Sequence, residues 1–298
     1  MLTNKRSDPW LFVLLTATWV VASGALLTGF ALLPTGQAGL ASAQEAGHET
    51  FASAEEASHA LFAAVQNNNV QAIIRILGAA ELVSSGDELK DKRERDQFAQ
   101  KYEQMHRLKQ EPDGTTVLYI GAENWPFPVP LVSRQGQWFF DPDAGAQEIL
   151  FRQIGENESI VIETCLALPV ASGNKPTEAT NTDSSVTQYA RRLVSAQTAA
   201  ASNDTIAPFH GYHFRKLSRG IEEGTASNSK IGGAIYLAYP VEYRSSGVMT
   251  FVVTPNGVIY EKDLGPNTET AVEAMSTWKA NSNWHVLDET ELKELSHR

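Results

Sequence analysis

An uncharged apolar run near the N-terminus limits how much of this 298-residue chain can enter a globular fold. Residues 10–33 contain no charged side chain, and basic residues precede them. Ala41 and Ala43 follow with the small-x-small pattern that a signal peptidase accepts. The run is also long enough to span about 30 Å of hydrocarbon. We therefore assign residues 1–43 to a cleaved signal peptide or to a retained membrane anchor.

The basic flank before this run predicts where the rest of the chain resides. Lys5 and Arg6 favour the cytoplasmic side, so the residues after the run lie across the membrane. We expect an exported protein, periplasmic or extracellular, or one that residues 10–33 anchor in the inner membrane. The net charge of −11 repels phosphate backbones and argues against nucleic acid as a partner. An envelope protein or polymer is the expected partner, with membrane contact only through the N-terminal segment.

Cys165 is the single cysteine of the chain. One cysteine excludes an internal disulfide framework and a cysteine-based zinc cage. The apolar residues around it favour a buried, inert thiol, because such cysteines behave as small hydrophobic side chains. An intermolecular disulfide and a nucleophile are the alternatives.

Residues 51–168 are predicted to form an N-terminal α+β lobe, in which helices pack on an antiparallel sheet. Ser53 and Glu56 form a capping box, because the hydroxyl and the carboxylate satisfy free backbone donors at a helix start. Apolar residues then recur at helical spacing. Further helices are predicted over 70–77, 90–108 and 141–168, the last broken at Gly155, and strands over 115–120, 125–132 and 138–140.

The second half begins with a change of composition. Residues 169–187 are rich in Pro, Ser, Thr and Asn, which predicts a linker or a mobile loop. Residues 188–288 are predicted to form a second α+β lobe that starts with a helix. Four β-rich runs predict an antiparallel meander: 210–217, 231–239, 247–254 and 258–263. A helix over 268–279 and an extended piece over 284–287 complete the lobe. The predicted fold class is therefore α+β.

Several short motifs occur in an order that is similar to one bacterial secreted family. They are the segments 77–78, 85–87, 124–131, 138–141, 152–158, 210–212, 238–240, 247–251 and 260–265. Over about residues 51–288 the chain resembles the family known only as domain of unknown function 2950. The resemblance implies export but brings no assigned activity. The chain departs from the family between Ser195 and His210, where the usual aromatic and glycine-containing insert is shortened.

A weaker resemblance concerns the C-terminal strands. Their order, over 211–214, 238–240 and 247–251, looks like the sheet of pilin-like globular domains. A true pilin is disfavoured, because Pro34 stands where a pilin has its glutamate.

The polar residues of the motifs are the candidate binding residues. They are Asp87, Arg152, Asn157, Glu158, His210, Tyr212 and Asp263. Asp87 is either a helix cap or part of an acidic patch. The residues of the middle helix either tie that helix to the sheet or line a cleft. Asp263 shares one face of a strand with Glu261, which suits acid/base chemistry, or both are simply exposed to solvent.

The histidines give no metal site by spacing. His210 and His213 are three residues apart in a predicted strand, so they point to opposite faces and cannot chelate one ion. The chain contains no P-loop, dinucleotide fingerprint, zinc-protease motif or nucleophile elbow. We therefore expect no metal and no cofactor, and the catalytic residues stay unassigned.

The absence of a catalytic constellation favours a non-enzymatic envelope or surface binding module. Whether the chain is an enzyme is left open, although the motifs lean against it. One alternative is a hydrolase of envelope polymers that uses Asp87, Glu158 or Asp263. Another is small-ligand binding in an NTF2-like cavity between the helices and the Trp125/Trp138 hairpin. Carboxylates gathered in one pocket would favour the hydrolase, and scattered carboxylates would favour binding.

Overall fold

The computed structural model describes residues 49–173, 184–198, 206–217, 219–222, 234–288 and 290–292. The predicted signal or anchor at 1–43 lies outside the described residues, as does most of the predicted linker. Within the described residues, no helix is long and apolar enough to cross a membrane. These residues form helices and antiparallel sheets, which confirms the predicted α+β fold.

The chain divides into two compact units, one that ends at Ile149 and one that begins at Leu150. This division falls inside the helix Pro142–Ala171. The boundary predicted from composition, at 169–187, begins near the end of that helix, and its residues 174–183 are outside the described part. That boundary stays a prediction.

The N-terminal unit begins with helices that have local start and stop signals. They are α1 (Ala54–Gln66), α2 (Val70–Leu77), a short 3-10 helix (Ala80–Leu82) and α3 (Glu88–Gln104). The Ser53 hydroxyl accepts the Glu56 amide at 3.1 Å, and the Glu56 carboxylate accepts the Ala52 amide at 2.9 Å. Gly78 ends α2 at a φ of 83°, which costs glycine little. The capping box and the glycine stop are thus confirmed.

The sheet of this unit is antiparallel. Its strands are β1 (His106–Gln110), β2 (Thr116–Ile120), β3 (Trp125–Pro126), β4 (Leu131–Arg134) and β5 (Gln137–Phe140). Their order is β1-β2-β4-β5, and β3 also pairs with β2. Leu61, Ile73 and Ile76 from the helices are buried in one cluster with Leu131 and Phe140 from the sheet. The predicted packing of helices on a sheet is therefore correct for this unit.

Two predictions about this unit are wrong in detail. The helix predicted over 90–108 ends at Gln104, because Met105 takes extended backbone and β1 then pairs with β2. Pairing with a later strand outweighed the local helical pattern. The strand predicted over 125–132 is interrupted between β3 and β4, where Pro128 and Pro130 lack the N–H groups that a ladder needs.

The helix α4 (Pro142–Ala171) runs without the break that was predicted at Gly155. Ile154 and Val161 are buried on either side of that glycine. This packing offsets the roughly 1 kcal/mol by which glycine disfavours a helix interior. A second helix of the C-terminal unit, α5 (Ser185–Thr198), packs Leu193 into the same core as Val161.

The C-terminal unit is built on a second antiparallel sheet. Its strands are β6 (Tyr212–Leu217), β8 (Ile235–Pro240), β9 (Met249–Val253), β10 (Ile259–Asp263) and β12 (His285–Val286), in the order β12-β10-β9-β8-β6. The predicted four-stranded meander is confirmed, and the predicted extended piece supplies its fifth strand. A separate parallel pair joins β7 (Arg219–Glu222) to β11 (Thr277–Ala280).

The two faces of this sheet are buried differently. Tyr212, Ala238 and Phe251 lie in one core with residues of α4 and α5. Leu237 and Val252 lie in another core with Trp278 of β11 and with Val272 of α6 (Thr268–Glu273). The helix predicted over 268–279 is therefore too long. It stops at Glu273 because residues from Thr277 onward pair with β7.

Candidate functional site

Glu158 of α4 is the centre of a hydrogen-bonded junction with the sheet. Its Oε1 atom accepts the backbone amides of Val248 at 2.8 Å and Met249 at 2.9 Å. The Tyr212 hydroxyl lies 3.1 Å from the same oxygen and 3.0 Å from the Met249 carbonyl oxygen. The phenol has one proton, so it donates to one of these two acceptors. The carboxylate thus fixes the first residues of β9 against α4.

Tyr212 is fully buried at this junction. Burial, reinforced by the neighbouring Glu158 carboxylate, raises the pKa of Tyr212 above its ordinary value. Gly247 lies directly on the phenol, because a β-carbon there would be 2.1 Å from the phenolic oxygen. The phenol is therefore a protonated hydrogen-bond donor and a packing element, and it is unsuited to act as a base.

Asn157 makes a second tie from α4 to the same loop. Its Nδ2 atom donates to the Ser246 carbonyl oxygen at 2.9 Å. Gly211 packs beside this contact at a φ of 72°, and a β-carbon there would lie 2.7 Å from Cβ of Ser246. The Gly211 carbonyl in turn accepts the Val241 amide at 2.9 Å. Asn157 and Glu158 together hold the loop between β8 and β9 in one conformation.

Exposed and half-buried side chains of this loop, of the turn before β6 and of the end of β10 form what we call the loop surface. Its members are His210, Val241, Tyr243, Arg244 and Asp263. Val241 is 47% exposed and offers apolar area to solvent. The Tyr243 hydroxyl donates to Asp263 at 3.0 Å, and the Arg244 guanidinium lies 5.5 Å from the centre of the Tyr243 ring.

Two residues of the loop surface have left-handed backbone although neither is glycine. His210 has a φ of 46° and Arg244 a φ of 63°. Such conformations are strained for residues with a β-carbon and persist where neighbouring contacts determine them. The placement of His210 also corrects the sequence prediction, which put it inside a strand. It lies in a turn before β6, with its ring edge against Phe209 at 4.5 Å between centroids.

Five of the seven predicted site residues fall into two groups. Asn157, Glu158 and Tyr212 meet at the junction, and His210 and Asp263 lie on the loop surface. Arg152 is half-buried on α4, one and a half turns before Asn157. Asp87 belongs to the N-terminal unit, where its side chain accepts the amides of Leu89 and Lys90 and caps α3. Asp87 thus caps a helix, as one of the two interpretations of its sequence predicts.

Each carboxylate considered for hydrolysis has a backbone partner. Asp87 caps a helix, Glu158 holds two strand amides, and Asp263 accepts the Gly265 amide at 2.7 Å. Asp87 lies in the N-terminal unit, and Glu158 and Asp263 lie in the C-terminal one.

Glu261 is a carboxyl group whose pKa is raised in the folded unit. It is half-buried on β10, and burial raises its pKa. The charge of the His285 side chain lowers the pKa of Glu261, whereas the charges of Glu158 and Glu291 raise it further. The like charge of Glu158 thus adds to the raised pKa of Glu261, a feature that favours acid/base chemistry.

A groove of about 360 Å³ lies between α4 and α5 in the C-terminal unit. Its wall is mostly apolar, with Ala167, Val170 and Val194, and Arg191 and Ser195 also line it. In the N-terminal unit, the region predicted as an NTF2-like cavity contains packed rings: Phe127 lies 5.4 Å from Phe98 and 6.3 Å from Trp125, centroid to centroid.

Sequence reasoning missed Val241, Tyr243 and Arg244. These residues lie between two correctly predicted strands, so the sequence marked them only as a connection. The usable signal was the occurrence of an apolar and an aromatic residue, Val241 and Tyr243, just before the turn-forming run Ser245-Ser246-Gly247.

Comparison with known proteins gives one match. A family model described as "Protein of unknown function (DUF2950)" matches residues 48–202 and 196–287. No curated protein and no solved structure matches the chain.

Proposed function

The chain belongs to the DUF2950 family, and we propose that it is an exported, non-enzymatic binding module of the cell envelope whose partner docks on the loop surface. The family model covers most of the chain but carries no activity. We therefore infer the function from the geometry of the C-terminal unit and from the N-terminal sequence.

The observation that carries the proposal is the preorganised loop surface. Glu158 and Asn157 fix the β8–β9 loop by direct bonds to its backbone. His210 and Arg244 keep strained backbone next to these ties. A surface that is already rigid loses less conformational entropy on binding, so more of its contact energy appears as affinity.

The chemistry of the loop surface fits a macromolecular partner. Val241 offers exposed apolar area, and Tyr243 and Arg244 belong to the residue types that dominate interface energetics. Arg244 can meet an acidic group of the partner, which suits an envelope protein or polymer. Export is supported by the apolar run at 10–33 with its small-x-small site.

Co-sedimentation of residues 44–298 with purified cell-wall sacculi and with envelope membrane vesicles tests the proposal. We expect the wild-type chain to pellet with one of the two fractions, and Arg244→Glu and Val241→Asp to lose at least tenfold of that binding. Lys92→Glu is the matched control, because it makes the same charge change at an exposed position of α3 in the other unit.

Two outcomes would contradict this function. One is the absence of wild-type binding to either fraction, and the other is equal binding by the loop variants and the control. Export is tested separately by a phosphatase reporter fused after Arg298, which is active only outside the cytoplasm. An inactive reporter on a stable fusion would disprove export.

A hydrolase of envelope polymers is the second candidate, and the like-charge pair of Glu158 and Glu261 is what favours it. If that pair were catalytic, Glu261→Gln would abolish the release of soluble fragments from sacculi while leaving stability and sedimentation unchanged. No fragment release by the wild-type chain would eliminate this candidate.

A further inference from the structure

The N-terminal unit contains a stack of three rings that ends in a histidine. Tyr102 of α3 lies parallel to Phe62 of α1, with centroids 4.4 Å apart and planes inclined by 12°. His106 of β1 also lies parallel to Tyr102, at 4.0 Å and 8°. The Tyr102 and Ser58 hydroxyls are 3.0 Å apart. Because Tyr102 is buried, the His106 ring rests on a fixed support.

The backbone of α3 decides which nitrogen of His106 faces outward. The Nδ1 atom lies 3.0 Å from the Tyr102 carbonyl oxygen. A carbonyl oxygen can only accept, so Nδ1 carries the hydrogen. In the neutral ring Nε2 then keeps its lone pair. A histidine bonded in this way to a carbonyl is the arrangement that orients imidazole ligands in metal sites.

A second exposed histidine lies beside the stack. The His59 ring on α1 has its centroid 5.9 Å from that of His106 and 6.2 Å from that of Tyr102. Since the two distances are similar, His59 sits next to the edges of both rings and not over the face of the stack. Two imidazoles that share a tetrahedral ion through nitrogens at about 2.1 Å have centroids about 5 Å apart. Rotation of the exposed His59 side chain can shorten the centroid distance from 5.9 Å to about 5 Å.

We propose that His59 and His106 form a two-histidine surface site for a divalent transition metal ion, Zn²⁺ or Cu²⁺. Imidazole nitrogen suits these ions and not Mg²⁺ or Ca²⁺, which prefer oxygen ligands. Within the described residues, no group of three His, Cys, Asp or Glu side chains is placed to hold a metal. Water or a ligand group from solution therefore completes the coordination, and the site is open on its outer side.

This site is independent of the proposed binding function, because its residues belong to the N-terminal unit and the loop surface to the C-terminal one. Its role would be to take up an exchangeable ion at the surface. Sequence spacing does not predict this site, since His59 and His106 are 47 positions apart and lie on different elements.

Titration calorimetry with ZnCl₂, CuCl₂ and MgCl₂ tests the proposal on residues 44–298, purified without a polyhistidine tag and dialysed against chelator. We expect one equivalent of Zn²⁺ or Cu²⁺ to bind, and no heat of binding with MgCl₂. Zn²⁺ should also shift the imidazole Cε1–H resonances of His59 and His106 in NMR spectra.

Variants decide whether these two residues hold the ion. His59→Asn is the decisive change, because His59 is exposed and its loss leaves the ring stack in place. We expect His59→Asn and His106→Asn each to weaken binding at least tenfold, and His285→Asn, an exposed histidine of the other unit, to leave it unchanged. Equal binding by wild type and His59→Asn, or equal loss with His285→Asn, would overturn the proposal.

Discussion

Gly247 and Tyr212 are packed so closely that no other residue fits at position 247. A β-carbon there would lie 2.1 Å from the phenolic oxygen and 2.4 Å from two ring carbons. The phenol cannot move away, because it is fully buried and its hydroxyl is bonded to Glu158 or to the Met249 carbonyl. The glycine is therefore a packing requirement of the junction between α4 and the second sheet.

Gly247→Ala is expected to destabilise the protein by about 1 to 3 kcal/mol, the usual cost of overpacking a core. Urea unfolding followed by circular dichroism measures this change. Gly265→Ala is the control within the same unit, since no atom lies within 4 Å of a β-carbon there and the variant reports backbone strain alone. A smaller loss for Gly247→Ala than for Gly265→Ala would contradict the packing argument.

Glu158→Ala is expected to lower the free energy of unfolding by about 3 kcal/mol, because it leaves the Val248 and Met249 amides without their acceptor. Glu158→Gln keeps a carbonyl oxygen at that place, so we expect a loss of about 1 kcal/mol. Denaturant titration compares the two variants.

Gln153→Ala provides the control for the Glu158 variants, because Gln153 is exposed on the same helix. It should change stability by less than about 0.5 kcal/mol. If Glu158→Gln were as unstable as Glu158→Ala, the negative charge rather than the acceptor oxygen would be what holds the strand.

Local sequence signals predicted where the helices start and stop. The errors concern strands, which are defined by pairing with another strand of the chain. Ser53, Gly78 and Asp87 act on backbone groups within a few residues, so their roles follow from the sequence. Most of β1 and of β11 was predicted as helix, because each of these strands is defined by its pairing with another strand of the chain. The same local pattern is compatible with either structure until that partner is known.

In the candidate site, too, single residues were predicted from the sequence and their contacts were not. Asn157, Glu158 and Tyr212 were each named from the sequence as polar motif residues. A tie between the middle helix and the sheet was one of the two interpretations, but its partners were not predictable, since Glu158 and Tyr212 are 54 positions apart and no local pattern records which strand faces α4. The loop surface was missed because exposure of Val241 and the backbone angle of Arg244 are properties of the folded unit alone.

Asp91 is expected to make stability depend on pH. Hydrogen bonds from the Ser85 side chain and backbone and from the Ser84 hydroxyl, together with nearby Arg95, lower the pKa of this buried carboxyl. A carboxyl whose folded pKa is lowered contributes stability above its unfolded pKa, and that contribution disappears as the pH falls through the folded pKa.

We therefore expect Asp91→Asn to cost about 1 to 3 kcal/mol at neutral pH and to flatten the loss of wild-type stability below about pH 4. Urea unfolding over a series of pH values measures both effects. Asp96→Asn, at an exposed position of the same helix, should reproduce the wild-type profile. Parallel profiles for Asp91→Asn and wild type would show that the carboxylate charge is not what the serines stabilise.

Cys165 is expected to be chemically silent in the folded protein. The thiol is 1% exposed in the core between α4 and the second sheet, and burial raises its pKa to about 12. Both access and thiolate formation are thereby suppressed, so a disulfide reagent at neutral pH should label Cys165 only as fast as the unit unfolds.

The measurement is the rate of absorbance change with the folded chain, with the same chain in concentrated guanidinium chloride as the fully reactive reference. Cys165→Ser should remove the signal in both conditions. Rapid labelling of the folded wild-type chain would contradict the buried thiol and reopen the nucleophile and intermolecular-disulfide alternatives.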